Sequence, residues 1–103
     1  MENNEQVRPQ PETSLVDGGQ RFAVSLKRIR LELKNKQVWL SQAIGCSDAA
    51  VSFWESGARI PTAESMSRLL AVLAREGATT SELLELRRFW LQDWALRRTS
   101  RRG

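Results

Sequence analysis

The stretch Gln37–Gly57, QVWLSQAIGCSDAAVSFWESG, decides the fold of this 103-residue chain. Its apolar, small and glycine positions follow one template: apolar Leu40, Ile44, Cys46, Val51 and Trp54, small Ser41, and then Gly45. This spacing is what two short helices crossing at about 90–120° need. Ser41 must be small because the second helix passes close above it, and Gly45 makes the turn. Since all of these positions agree, the stretch predicts a pair of crossed helices.

Glycine, hydroxyl residues and proline mark where these two helices begin and end. Gly45 and Gly57 suit the left-handed position that ends a helix, so they are predicted to end helices 2 and 3. Ser47 is predicted to cap helix 3, because its hydroxyl can accept an orphan backbone N–H. Pro61 then stops the chain from continuing as a helix.

Three further segments outside this pair have helical periodicity. Helix 1 carries apolar residues at steps of four, three and four: Phe22, Leu26, Ile29 and Leu33. Helix 4 is capped by Thr62, ends at Gly77 and presents Met66, Leu69, Leu70 and Leu73. The sequence Thr79–Glu82 fits a capping box that opens helix 5, which is predicted to run to about Arg98. No strand-like alternation of useful length occurs, so the sequence predicts an all-α fold of five helices.

The composition excludes several classes of function. The chain has a single cysteine, Cys46, and no histidine, so neither an internal disulfide nor a Cys/His zinc site is expected. The commonest general base is missing as well, and no catalytic constellation stands out, so we predict no enzyme, no metal and no cofactor. No run of residues is apolar enough to span a membrane, and residues 1–20 lack a secretory core. A cytoplasmic protein is therefore expected.

The charge is unevenly distributed along the chain. Residues 1–20 carry one base and four acids, a net of −3, whereas residues 21–80 carry +4 and residues 81–103 carry +3. A basic body suits a polyanion through counterion release, although ordinary solubility explains a charge of this size equally. The predicted organisation is a disordered polar leader (1–19), a helical domain (20–78), a C-terminal helix (79–98) and a basic tail (99–103).

On these residues the chain resembles the Cro/CI-type, XRE-like family of helix-turn-helix regulators. The resemblance covers about half of the chain and rests on Leu26-Lys27-Arg28-Ile29-Arg30, Gln37, Gly45-Cys46-Ser47, the run Val51-Ser52-Phe53-Trp54-Glu55-Ser56-Gly57, and Pro61. It implies a five-helix, lambda-repressor-like domain that binds double-stranded DNA, usually as a homodimer. Helix 3, at about Asp48–Glu55, would enter the major groove while helix 2 crosses the DNA backbone.

The resemblance also implies roles for individual residues. Gln37, which opens helix 2, stands where the family contacts a phosphate. Lys36, Ser47 and Arg59 are assigned to phosphates from their positions beside helices 2 and 3, with a solvated loop charge as the alternative for Arg59. The structural ion pair of the family falls on Arg30 and Glu55. The base-facing positions are Asp48, Ala49, Ser52 and Phe53, because Val51 and Trp54 point inward.

The sequence departs from the family pattern in two places, the base-facing positions and the turn between helices 1 and 2. The base-facing set contains neither Arg nor Gln, so part of the specificity is expected to come from DNA shape. Phe53 is either a contact to a thymine methyl group or a packed surface aromatic. Lys34-Asn35 stands where the family often has Gly followed by an apolar residue, so the turn between helices 1 and 2 is expected to differ.

Helix 5 carries apolar residues around much of its circumference, more than one-sided packing on a small domain needs. We predict that it packs on helices 1 and 4 and also makes a two-fold dimer interface through Leu83, Leu86, Trp90 and Trp94. A membrane-surface helix is the rival interpretation, and Glu82, Glu85 and Asp93 count against it.

The function predicted from the sequence is a sequence-specific, double-stranded DNA-binding regulator, a repressor that acts as a homodimer on an inverted repeat at the nucleoid. The alternative is an antitoxin or adaptor that uses the same fold chiefly to bind another protein. The two differ in their partner: the first requires DNA alone, whereas the second requires a tightly bound second protein.

Overall fold

The computed structural model describes the backbone of residues 20–102 and the side chains of residues 20–97. Five helices follow one another: α1 Arg21–Glu32, α2 Gln37–Ile44, α3 Ala50–Ser56, α4 Ala63–Glu76 and α5 Thr80–Arg102. Residues 20–102 contain no strand, so the predicted all-α, five-helix fold is confirmed. The predicted leader, residues 1–19, lies outside the described residues. Helix α5 extends four residues past its predicted end and takes up most of the segment predicted as a basic tail.

The helix boundaries agree with most of the predicted stop and start signals. Gly45 and Gly57 have φ angles of +90° and +84° at the ends of α2 and α3, where a left-handed residue is required. At the start of α4, the Thr62 hydroxyl accepts from the Ser65 N–H at 3.1 Å. At the start of α5, the Glu82 carboxylate accepts from the Thr79 N–H at 2.8 Å, which completes the capping box.

The predicted cap of helix 3 is wrong. Helix α3 begins at Ala50, with Ala49 at the cap position and no side-chain hydrogen bond there. The Ala50 N–H donates instead to the backbone carbonyl of Ser47 at 3.0 Å. Because this turn already supplies an acceptor, the Ser47 hydroxyl is not needed as a cap. Residues Ser47, Asp48 and Ala49 therefore lie in the turn before α3 and not in its first turn, where the sequence placed Asp48.

A single apolar core lies between the five helices. Its buried members come from every helix: Phe22, Leu26, Ile29, Leu40, Ile44, Val51, Trp54, Met66, Leu69, Val72, Leu73 and Leu86. Ser41 is also fully buried, and its hydroxyl accepts from the Val51 N–H at 3.2 Å. Serine at this position therefore has two roles. It is small enough for α2 and α3 to pack closely, and its hydroxyl supplies an acceptor at the start of α3.

Lys34 has a φ of +62°, the one positive value at a non-glycine residue in the described part of the chain. The Lys34 N–H donates to the Leu31 carbonyl at 3.0 Å, and the Asn35 N–H donates to the Arg30 carbonyl at 3.2 Å. These two bonds form the Schellman motif that ends a helix through a left-handed residue. The turn between α1 and α2 thus has the geometry that glycine favours, with lysine in the strained position.

Helix α5 packs on α1 and α4, and this changes the interpretation of its apolar residues. Leu86 is fully buried within the single chain, and Leu83 and Trp90 are partly buried against the same core. The apolar stripe that the sequence argument gave to a dimer partner is therefore mostly covered within one chain. Trp94 remains exposed, and a separate stripe with Leu84 and Leu91 is 62% and 42% exposed.

Candidate nucleic-acid interface

Helix α3 and the turn before it present one exposed face. Asp48, Ala49, Ser52 and Phe53 are exposed, while Val51 and Trp54 on the other side of α3 are buried. The structure therefore brings the four predicted base-facing residues to one surface. Phe53 is 40% exposed, a large fraction for an aromatic ring in a protein of this size.

Phe53 is paired with Arg59, which lies in the loop after α3. The guanidinium carbon of Arg59 lies 4.8 Å from the centroid of the Phe53 ring, within the range of a cation–π interaction. The Arg59 N–H also donates to the Phe53 carbonyl at 3.3 Å. A positive charge is thereby held beside the exposed face of α3, even though α3 itself carries no arginine or lysine.

A partly buried polar network fixes α3 to α1 and α2. The Arg30 Nε and Nη2 atoms donate to the two carboxylate oxygens of Glu55, at 2.6 and 2.9 Å. The Gln37 amide donates to Glu55 Oε1 at 2.9 Å. The side chains of Arg30 and Glu55 are only 9% and 3% exposed, so water screens this bidentate pair weakly. The hydrogen bond to Glu55 raises the pKa of Arg30, which stays charged.

The structure places the predicted phosphate-binding residues unequally. Lys36, Ser47 and Arg59 are exposed around α2 and α3, as a phosphate contact requires. Gln37 is half-buried, and one N–H of its amide is directed at Glu55. Since that amide carries two N–H groups, one donor remains for a phosphate. Asp48 is tied to α2, because its carboxylate accepts from the Gln42 amide at 3.3 Å.

The loop Gly57–Pro61, which joins α3 to α4 and carries Arg59, is held by α5. The Arg97 guanidinium donates to the Gly57 carbonyl at 2.7 Å and to the Ala58 carbonyl at 3.5 Å. The indole N–H of Trp90 donates to the Pro61 carbonyl at 2.8 Å. Sequence reasoning missed these contacts. The available signal was weak: Trp90 and Arg97 are seven residues apart and so share one helix face.

The sequence model of a helix-turn-helix family matches residues 26–77, half of the chain. The chain belongs to this helix-turn-helix family of DNA-binding transcription regulators. Within it, the chain is of the Cro/CI, XRE-like type, which confirms the resemblance drawn from the motif. The family is not normally enzymatic. No curated protein and no solved structure matches the chain significantly.

Two features are absent from the described residues. No group of three or more Cys, Asp or Glu residues there could hold a metal ion. No helix in the same part of the chain is long and apolar enough to cross a membrane.

Proposed function

We propose that this protein is a sequence-specific repressor that places α3 in the major groove of duplex DNA. The observation that carries this proposal is the exposed face formed by Ala49, Ser52 and Phe53, with Arg59 held against the Phe53 ring. The network of Arg30, Glu55 and Gln37 supports it, since it fixes α3 to its neighbours without occupying that face. A rigid helix can be placed in a groove at a lower entropic cost.

The proposed contacts divide between phosphates and bases. Lys36, Gln37, Ser47 and Arg59 contact phosphates, which fix the register on the duplex. Ala49 and Phe53 offer apolar contacts to thymine methyl groups, and Ser52 offers one hydroxyl to base edges. Asp48 can accept from a cytosine amino group. Because donors on this face are few, sequence-dependent DNA shape supplies the rest of the specificity.

The proposed regulator acts as a homodimer on an inverted repeat, with its two copies of α3 about 34 Å apart in successive major grooves. The exposed stripe with Leu84 and Leu91 supports this state, because residues seven apart lie on one helix face and suit an isologous contact. Trp94 is exposed nearby on the same helix. Such a protein acts in the cytoplasm, at the nucleoid, and needs neither a cofactor nor an enzymatic site.

Selection of bound duplexes from a random pool tests this proposal. An enriched inverted repeat is the expected result, with an affinity that falls steeply as salt rises because phosphate contacts release counterions. Phe53→Ala is expected to weaken binding to the selected duplex more than to a random one. Glu64→Ala on the exposed surface of α4 serves as the control variant. Equal weakening of both duplexes by Phe53→Ala would remove its base-reading role, and no enriched duplex would reject the proposal.

The second candidate function is an antitoxin or adaptor that binds another protein. One observation favours it: Val38 and Trp39 expose apolar surface on α2, beside the proposed DNA face. Large exposed aromatic side chains are common at protein interfaces. Size-exclusion chromatography of the protein isolated from its own cells distinguishes the two. A stoichiometric second protein that Trp39→Ala releases would favour this candidate.

A further inference from the structure

We infer that α5 positions the DNA-contact loop Gly57–Pro61, with Arg97 and Trp90 acting through Arg59. The inference rests on the proposed function and adds positioning residues that lie about 30 to 40 positions away in the sequence. Neither residue belongs to the helix-turn-helix pair. Both lie on the α5 face that is turned toward the loop.

Arg97 is suited to the end of α3 by its geometry and by its charge. The carbonyls of Gly57 and Ala58 lie where α3 has just ended, and carbonyls at this end of a helix have no intrahelical partner. One guanidinium group donates to both, at 2.7 and 3.5 Å. A cation at the C-terminal end of a helix is also favoured by the helix dipole. The buried Nε of Arg97 has no hydrogen-bond partner, so the two Nη atoms alone make the contacts of the head group with this loop.

Trp90 holds the other end of the same loop. Its indole N–H donates to the Pro61 carbonyl at 2.8 Å, directly before α4 begins. The loop is therefore tied to α5 at residues 57, 58 and 61, and Arg59 lies between these ties. On the opposite side, the Arg59 guanidinium lies against the Phe53 ring. Because the loop is tied on both sides of Arg59 and its side chain lies against Phe53, Arg59 is preorganised for a contact with an anion.

Preorganisation has a measurable consequence for binding. A loop that is mobile in the free protein must be ordered when it contacts DNA, and the cost of ordering reduces the affinity. Ties that fix the loop in advance remove this cost without touching DNA. The contribution of Arg97 to affinity must therefore depend on the presence of Arg59, which provides a double-mutant test.

The experiment compares Arg97→Met, Arg59→Ala and the double variant, using a duplex selected from a random pool as the probe. Methionine keeps much of the packing of the arginine stem and removes the donors. Arg97→Met is expected to weaken binding about five- to tenfold, and less than about twofold when Arg59 is already alanine. Arg75→Met removes an equal charge from the exposed last turn of α4 and is expected to bind like the wild type. Circular dichroism at the assay temperature verifies that each variant is folded.

Trp90→Phe is the second variant, and it keeps the test valid if Arg97→Met does not fold. It keeps an aromatic ring and removes only the donor to Pro61, so a smaller loss with the same dependence on Arg59 is expected. If the affinity lost through Arg97→Met adds fully to the affinity lost through Arg59→Ala, Arg97 contacts DNA directly and the inference is overturned. Wild-type affinity in both folded variants overturns it as well while leaving the proposed function intact. If the wild type binds no duplex, both fail.

Discussion

The helix-turn-helix pair buries Trp54 and α5 partly buries Trp90, but different kinds of contact determine which side of each region faces inward. In the pair, Trp54 belongs to a spacing of apolar residues that lies within Gln37–Gly57. In α5, the inward face is fixed by distant polar groups: Asp93 accepts from the N–H of Phe22, and Arg97 donates to the carbonyl of Gly57. The inward face of the helix-turn-helix pair is thus specified by short-range apolar spacing. The inward face of α5 is specified by long-range hydrogen bonds to the ends of other helices.

The largest expected effect lies in the helix-turn-helix region. Glu55→Ala removes the carboxylate that Arg30 and Gln37 share, and leaves a buried guanidinium group without its charged partner. We expect a loss of about 3–5 kcal/mol in the free energy of unfolding. Urea denaturation followed by circular dichroism measures this change. Replacement of both partners, Arg30→Met with Glu55→Leu, is the matched control and should cost much less. An equal cost in both variants would show that the charge pair is not the cause.

The next largest effect is expected in α5, at Asp93. This carboxylate is buried and accepts from the Phe22 N–H at 3.3 Å, near the start of α1. Asp93→Ala leaves that donor without a partner, so we expect a loss of about 1–3 kcal/mol in the free energy of unfolding. Asp93→Asn keeps an acceptor at the same position and should retain most of the stability. If the alanine and asparagine variants unfold alike, the hydrogen bond contributes little.

Asp93 also predicts a dependence of stability on pH. Burial raises its pKa, and the Phe22 N–H together with the charges of Arg97 and Arg21 opposes this only partly. A raised pKa means that the folded state holds the proton more tightly than the unfolded state. The contribution of Asp93 is therefore most favourable below the unfolded pKa, near about 3.9, and declines as pH rises through the folded pKa. Asp93→Asn should lack this decline, which unfolding curves at several pH values would show.

A smaller effect is expected for Trp90→Phe on stability. The variant removes the hydrogen bond from the indole N–H to Pro61 and should cost about 1 kcal/mol, measured as a shift in the denaturation midpoint. Leu84→Ala, on the exposed stripe of α5, is the matched comparison. It should leave the unfolding of the protomer nearly unchanged and raise the dimer dissociation constant in sedimentation. The reverse pattern would place Trp90 at the interface and Leu84 in the core.

The smallest effect is expected at Lys34, between α1 and the helix-turn-helix pair. Its φ of +62° costs an L-residue energy that glycine avoids, whereas glycine has more conformational entropy to lose. Lys34→Gly should therefore raise the free energy of unfolding by roughly 0.5 kcal/mol. Lys34→Ala removes the same charge but keeps the Cβ atom, so it should not stabilise the protein. Equal gains in both variants would assign the effect to the charge.

Much of the fold could be predicted from the sequence, because its signals are local. Gly45, Gly57 and the Thr79–Glu82 box each act within a few residues, and the structure has helix ends at all three. The same holds for α3, because the apolar positions Val51 and Trp54 correctly predicted its buried side and therefore its exposed side. The prediction of Ser47 as a side-chain cap was wrong because a backbone carbonyl supplies the acceptor. Which acceptor is used depends on the geometry of the turn and not on the residue type.

The orientation of α5 could not be predicted in this way. Leu86 and Trp90 share a stripe, but its periodicity does not reveal whether another chain or the same chain covers it. The deciding contacts of Asp93 and Arg97 span 71 and 40 residues. A charged residue in an apolar helix is normally predicted to be exposed. Asp93 is almost fully buried nevertheless, because it caps α1. The stacking of Arg59 on Phe53 also depends on the loop conformation.

The division of α5 into two faces has a consequence for how such a protein can diversify. Leu84 and Leu91 lie on a different face from Trp90 and Arg97, so substitutions that alter the exposed stripe leave the ties to the loop intact. For the proposed dimeric regulator, duplicated genes could therefore diverge in the chains they pair with while keeping the same operator. Mutations in α3 could in turn change the operator without cross-talk between the paired chains. In the proposed dimer, α5 thus keeps the surface that selects the partner chain apart from the surface that positions the DNA-contact loop.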